Sequence, residues 1–251
     1  MLVMGILNVT PDSFADGGRY NDFESAVRRG QEMIAEGVDI IDVGGESTKP
    51  GAERITLEEE LDRVIPVIKE LSQSGIKISI DTMRSEVARK AIEAGASIIN
   101  DVSGGLADSE MLTTAASLNV PYIAMHWRGH SKDMNSRAVY KDVVGEVINE
   151  LQERITASLE AGINKDNLII DPGLGFAKDA EHNWEIIDSI TSFVDLGYPV
   201  LVGASRKRFL GGDNPDLREA ATVALTQRLS TTGIWAIRVH SVKPHKEVIS
   251  A

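Results

Sequence analysis

A closed barrel of eight parallel strands alternating with helices, a (β/α)8 TIM barrel, is the fold this sequence predicts, and three patterns predict it. Eight short apolar runs recur along the 251 residues, stretches with helical spacing of apolar residues lie between them, and nearly every run ends on a polar residue. Alternating strands and helices imply βαβ units and a parallel sheet, and eight repeats are the number that closes one. The rival is an open doubly wound sheet. Several such sheets need a GxGxxG turn after the first strand, where this chain carries Pro11 and Asp12. No stretch reads as a linker, so residues 1–251 are expected to form a single domain.

Each element follows in order. Residues 4–9 make the first strand, with Asn8 near its end, and the turn-rich residues 10–21 read as a mobile loop. Residues 23–36 have helical spacing (Ala26, Met33, Ile34) and stop at Gly37. The second strand, 39–43, runs into the glycine-rich loop 44–51, and Thr56 with Glu59 makes a capping box for a helix carrying Leu61, Val64, Ile65 and Ile68. Strands follow at 76–81 and 98–101, separated by a helix over 85–94; a helix over 109–118 leads to the fifth strand, 121–125. The longest helix carries Val144, Ile148, Leu151, Ile155 and Leu159 on one face before Gly162 stops it. The sixth strand opens the stretch LIIDPGLGFAK, 168–178, and the helical EHNWEIIDSI follows. Strand seven spans 199–204, its helix 217–229, and strand eight 234–240. About ten residues remain, opening near Pro244, so the eighth helix is expected to be truncated or missing.

Composition narrows the function. A net charge of −12 with no large basic block argues against a nucleic-acid partner. The absence of Cys removes disulfides, thiolate zinc sites and thiol nucleophiles. No apolar stretch reaches membrane-spanning length and the N-terminus does not read as a leader, so a cytoplasmic protein without membrane contact is expected.

The strands give way to their loops at Asn8, Asp42, Asp81, Asn100, His126, Asp171, Ser205 and the pair Arg238 and His240. In a barrel those ends share one rim, so one polar pocket is expected there. Period-two alternation puts Arg238 and His240 on one face, Asp81 with Ser79, and Asn100 rather than Asp101 inward. Asp81, Asn100 and Asp171 are acceptor-rich, which suits a flat nitrogen heterocycle whose N–C–N edge offers paired donors. Poorly hydrated carboxylates of this kind are expected to have raised pKa values. Lys207, Arg238 and His240 make an opposing anion clamp. Asn8 beside a diphosphate offers a neutral oxygen to Mg2+, which binds through few protein ligands plus substrate phosphates.

Blander readings stand beside these. A lone Asp at a strand end is as often a cap or turn former, and Asp42 reads as a brace for the neighbouring loop. His126 reads equally as a loop histidine bonded to backbone. His130, His182 and His245 are expected at the surface, with no HExxH or other metal spacing. Trp127, Trp184 and Trp235 read as packing residues, and Glu58 to Glu60 as the acidic first turn of a helix.

The ordered set GILNVTPDSFADGG, DVGGESTKPGA, SIDT, INDVSGG, MHWRG, DPGLGFAK, GASRKRFLG and RVH, spread over nearly the whole chain, closely resembles the dihydropteroate synthase family of folate biosynthesis, most of all its actinobacterial branch. The resemblance implies a (β/α)8 barrel that joins 6-hydroxymethyl-7,8-dihydropterin diphosphate to 4-aminobenzoate with Mg2+, releasing diphosphate, in a family that sulfonamides target. Matched position by position, it implies Asp81, Asn100, Asp171 and Lys207 at the pterin and in catalysis, and Asn8 at Mg2+ and the diphosphate with Arg238 and His240. Thr48 and the second loop, with Phe14 and Asp16 of the first, would close over 4-aminobenzoate, whose carboxylate the backbone near Lys207 and Arg208 would receive. Met125, Gly175 and Phe176 complete the implied lining, with Gly173 and Gly175 admitting close backbone approach and Phe176 packing on the ring.

Three positions depart from the family pattern. Lys49 stands where Arg is usual and cannot make a bidentate fork; Ser241 replaces an Asp after RVH; and the closing helix, part of a dimer in the family, is short, leaving a homodimer as one expected assembly. Two alternatives remain beside the synthase: a non-catalytic pterin-binding homologue, and a methyltetrahydrofolate-binding domain of a corrinoid methyltransferase, which would not need the 4-aminobenzoate loops or SRKRF.

Overall fold

The structure, a computed structural model, describes residues 1–10, 19–47, 54–130, 134–212 and 214–250. Phe14, Asp16, Thr48 and Lys49 lie outside the described residues. Strands β1 (Leu2–Asn8), β2 (Ile40–Gly44), β3 (Lys77–Asp81), β4 (Ile98–Asp101), β5 (Tyr122–Met125), β6 (Leu168–Asp171), β7 (Leu201–Val202) and β8 (Ala236–Val239) form one parallel sheet in the order β6-β5-β4-β3-β2-β1-β8-β7. A parallel bridge between Ile170 and Val200 joins its two ends, which makes a nearly closed (β/α)8 barrel. The helices are α1 (Arg19–Ala35), α2 (Leu57–Ser72), α3 (Ser85–Glu93), α4 (Met111–Leu118), α5 (Val143–Glu160), α6 (Ala180–Asp188), α7 (Ile190–Val194), α8 (Glu219–Leu229) and α9 (Lys243–Ser250). None of the described helices is long and apolar enough to cross a membrane.

Alternation along the strands divides the core in two. Met4, Ile40, Ile98, Ile123, Ile169, Leu201 and Ala236 point inward and fill the lower barrel, joined by Leu2 and Trp235. Residues of opposite parity, among them Val3, Ile41, Ile80, Tyr122, Ile170 and Val239, pack under the helices. Each such aliphatic side chain removed from water contributes about 1.5–3 kcal/mol. Two residues beyond the inner apolar ring, the same face carries Asp42, Asn100, Met125, Asp171 and Arg238, so the floor is dry and the upper end polar.

Local chemistry sets the helix starts. Thr56 Oγ1 accepts from Glu59 N at 3.1 Å and caps α2, whereas the Glu59 carboxylate turns to Arg63, so only one half of the expected box forms. Asp142 caps α5, and Asp179 caps α6 with His182 completing a reciprocal box. Helix α1 begins at Arg19, inside the stretch expected to be loop. The closing helix, expected to be truncated or missing, is present as α9 over Lys243–Ser250 and makes two turns. Its His245 is fully buried rather than at the surface, because it faces α8, where Nδ1 bonds Thr226 Oγ1 at 2.8 Å and Nε2 meets Glu219 at 3.3 Å.

Candidate active site

The strand register builds the site. Asn8, Gly44, Asp81 and Asn100 stand side by side on four successive strands. Gly44 lies between its neighbours' polar atoms: a Cβ there would be in ordinary contact with Asp81 Oδ2 at 3.6 Å and Asn8 Oδ1 at 3.8 Å. On the far side Met125 is level with Asp171, and Asp171 Oδ2 and Arg238 Cβ both border Gly203, at 4.0 and 3.8 Å from where its Cβ would be. Asp81, Asn100, Met125 and Asp171 are all buried.

Charge inside this ring is organised by Arg238. Its Nε donates to Asp42 Oδ2 at 2.5 Å and its Nη2 to Asp81 Oδ2 at 2.6 Å. Asp42 Oδ2 also accepts from Asn100 Nδ2 at 3.1 Å. Asp42 therefore does not brace a loop; it lies wholly inside the barrel and fixes both Asn100 and Arg238. Its Oδ1 and the Ser79 Oγ of the neighbouring strand have no hydrogen-bond partner among the described residues. Burial pushes the Asp81 carboxyl up to about 7, with Arg238 opposing and Asp42 reinforcing the shift. Asp171 is raised by burial against the Gly173 N–H, which donates to its Oδ1 at 2.7 Å, and against the Lys207 charge. Burial works against the Arg238 charge, but Asp42 and Asp81 more than offset it and its pKa is raised.

Lys207 approaches from the loop after β7. Its Nζ donates to the Leu174 carbonyl and sits 4.6 Å above the Phe176 ring. Burial lowers it to about 8, with Asp171 opposing. Gly175 makes that approach possible, since at φ 75° its Cβ would stand 2.8 Å from Lys207 Cδ. Arg208 follows in a 3-10 turn and is exposed. His240 Nδ1 bonds Ser205 Oγ at 2.9 Å, which joins the ends of the last two strands.

His126, counted among the polar strand ends, lies on the other side of the sheet. It is one residue past inward Met125, so its side chain points to the helices. There it is buried between Glu150, 2.9 Å from Nε2, and Lys178, 2.8 Å from Nδ1. Burial and the Lys178 charge lower it to about 4, against the pull of Glu150. Asp101 likewise points outward and accepts from Ser103 N, Gly105 N and Tyr122 OH at 2.7–2.8 Å, shaping the loop after β4. Sequence reasoning missed Lys178 and the Asp42–Arg238 pair. Strand parity signalled the outward turn of His126; nothing in one sequence marks a buried lysine.

Upward from this geometry, a ring of burial-raised carboxylates and one amide faces a lysine across a barrel mouth, an arrangement able to read a flat heterocycle by its N–H edge. Comparison with known proteins agrees. A family model described as pterin binding enzyme matches residues 4–240. A dihydropteroate synthase of Mycobacterium leprae (strain TN) is 48% identical over 251 residues, 96% of this chain and 88% of that protein. That of Bacillus subtilis (strain 168) is 45% identical over 246 residues, 96% of this chain and 84% of that protein. Among solved structures, Xanthomonas albilineans dihydropteroate synthase with 4-aminobenzoic acid superposes with a TM-score of 0.93 at 44% identity, covering 99% of this chain and 90% of that one. The same enzyme in complex with 7,8-dihydropteroate gives 0.89 at 40% identity, covering 99% and 91%. Family match, identity and fold together place this chain in the pterin-binding enzyme family, among the dihydropteroate synthases.

Proposed function

We propose that this chain condenses 6-hydroxymethyl-7,8-dihydropterin diphosphate with 4-aminobenzoate to give 7,8-dihydropteroate and diphosphate. The observation that carries this reading is the convergence of Asp81, Asn100, Asp171 and Lys207 on one barrel mouth, where Asp171 faces the Lys207 charge and Asp81 accepts from Arg238. Asp171 takes the paired N–H donors of the pterin edge, Asn100 supplies an amide that can both donate and accept, and Asp81 contacts the ring from the strand between Asn100 and Gly44. Lys207, already above Phe176, faces the ring from the other side. In the reaction the 4-aminobenzoate nitrogen forms a bond to the pterin methylene carbon, the carbon–oxygen bond to diphosphate breaks, and the amine releases a proton.

Arg238 is committed to Asp42 and Asp81, so its service to the diphosphate is charge at close range more than direct grip; His240 is assigned to the same anion. The donor set fits a metal that arrives with substrate. Among the described residues no group of three His, Cys, Asp or Glu gathers for a resident ion, whereas Asn8 offers a neutral oxygen at the rim, suited to Mg2+ that keeps most of its shell as water and phosphate. When bound, the ion would neutralise charge on the departing diphosphate. Met125, Gly175 and Phe176 line the ring side, and Thr48, Lys49, Phe14, Asp16 and Arg208 are assigned to 4-aminobenzoate and the loops over it.

Diphosphate release tests the reading. It is expected only with both substrates and Mg2+ present; tight pterin binding without release would instead identify a non-catalytic homologue.

A further inference from the structure

The loop after β6 carries Gly173, Leu174, Gly175 and Phe176 to the pocket, yet a side chain behind the loop fixes its shape. Lys178 is buried. Its Nζ donates to the carbonyl oxygens of Gly173 and Phe176, each at 3.1 Å, and to His126 Nδ1 at 2.8 Å. Burial lowers Lys178 to about 7, with the Asp171 charge opposing; in its charged form it has three donors, and each meets an acceptor, two of them in the same loop. Because Nδ1 accepts, the imidazole proton sits on Nε2 and is directed at Glu150 Oε2, 2.9 Å away. Glu150 is held in turn by Arg128 at 3.0–3.1 Å. Ammonium, neutral imidazole and carboxylate thus form a line that supplies a buried lysine with a counter-charge through one intervening ring.

The carbonyls of the loop divide by direction. Those of Gly173 and Phe176 turn outward to Lys178, and that of Ala177, at φ 48°, to Tyr140 OH at 2.9 Å. The Leu174 carbonyl turns inward to Lys207 Nζ, and the Phe176 ring lies beneath the same ammonium. The loop thus presents two carbonyls to Lys178 and one to Lys207.

We propose that Lys178 is a positioning residue for the pterin pocket: its ammonium, backed by His126 and Glu150, sets the backbone of residues 173–176 so that Leu174 and Phe176 hold Lys207 at the ring. This deepens the proposed reaction and rests on it. Lys178 touches no reacting atom, and its effect runs through Lys207 and the loop.

Lys178→Met keeps the stem and removes all three donors. Expected are a roughly tenfold rise in KM for the pterin diphosphate, the equivalent of one charged hydrogen bond, with kcat changed by no more than about threefold. In the ligand-free protein, amide hydrogen exchange at residues 173–177 is expected to quicken roughly tenfold, with the β1–β5 amides unchanged. Glu150→Gln, at a partly exposed position, should raise KM in the same direction by about threefold. Unchanged exchange and unchanged KM in Lys178→Met, or a loss confined to kcat, would overturn the proposal. Should Lys178→Met not fold, an unchanged KM in Glu150→Gln overturns it and a raised one supports it. Exchange needs no substrate, so a wild-type protein that fails to turn over would defeat the proposed reaction while exchange still decides the role of Lys178.

Discussion

Asp171 ends its strand with one oxygen on the Gly173 N–H and the other toward the pocket. Asp171→Asn keeps the size and one acceptor while removing the charge that a pair of N–H donors would meet. The expected loss is about 1.5–3 kcal/mol, or roughly 10- to 100-fold in pterin affinity by calorimetry, with an unchanged circular dichroism spectrum. Gly175→Ala meets both a left-handed backbone and Lys207 Cδ at 2.8 Å. It should cost about 1–2 kcal/mol of stability and weaken pterin binding, read by denaturant unfolding and titration. Asp81 sets a pH dependence. Its folded pKa, about 7, lies above the ordinary 3.8, so the folded state holds the proton more tightly than the unfolded one. Its stability contribution is therefore complete below about pH 4 and lost as pH rises through about 7. Melting curves from pH 4 to 7.5 should show that decline in the wild type and a flatter profile in Asp81→Asn.

At the scale of elements, the two-turn α9 is tied to α8 by His245, whose contacts with Thr226 and Glu219 are both side chain to side chain. Glu219 continues to Arg206 at 3.0 Å, next to Lys207. His245→Ala should lower stability by about 1–3 kcal/mol in denaturant unfolding, since it leaves buried partners unsatisfied. The sequence revealed the element but not this burial: a histidine in an eight-residue stretch gives too few turns to show which face packs. The strands were far more legible, because period two fixes a side chain's face once one neighbour is assigned. Asn100 inward and Asp101 outward follow from that rule, and so does His126 outward, although its polarity and position at a strand end drew it into the rim.

For the whole molecule, eight alternating apolar runs sufficed to predict the barrel, and their polar ends sufficed to predict the mouth. Which charges pair across that mouth was not legible. The Arg238 contact with Asp42 joins residues 196 positions apart, and it forms because β8 pairs with β1 and β1 with β2, so that the two inward side chains meet across β1. Lys178 stayed hidden for a related reason: it meets His126 from the end of another strand, and a lysine closing a glycine-rich loop reads as solvated until the fold buries it. A site made of contacts between distant strands gives its members to sequence reasoning and keeps its pairings for the structure.

The most direct test is formation of 7,8-dihydropteroate from pterin diphosphate and 4-aminobenzoate, with Mg2+, by wild type and Asp171→Asn at equal concentrations of folded protein. Product from the wild type, with kcat/KM for the pterin substrate roughly 10- to 100-fold lower in Asp171→Asn, is predicted. No product from the folded wild type, or equal kcat/KM in the two proteins, would contradict the assignment of this barrel mouth as the pterin site.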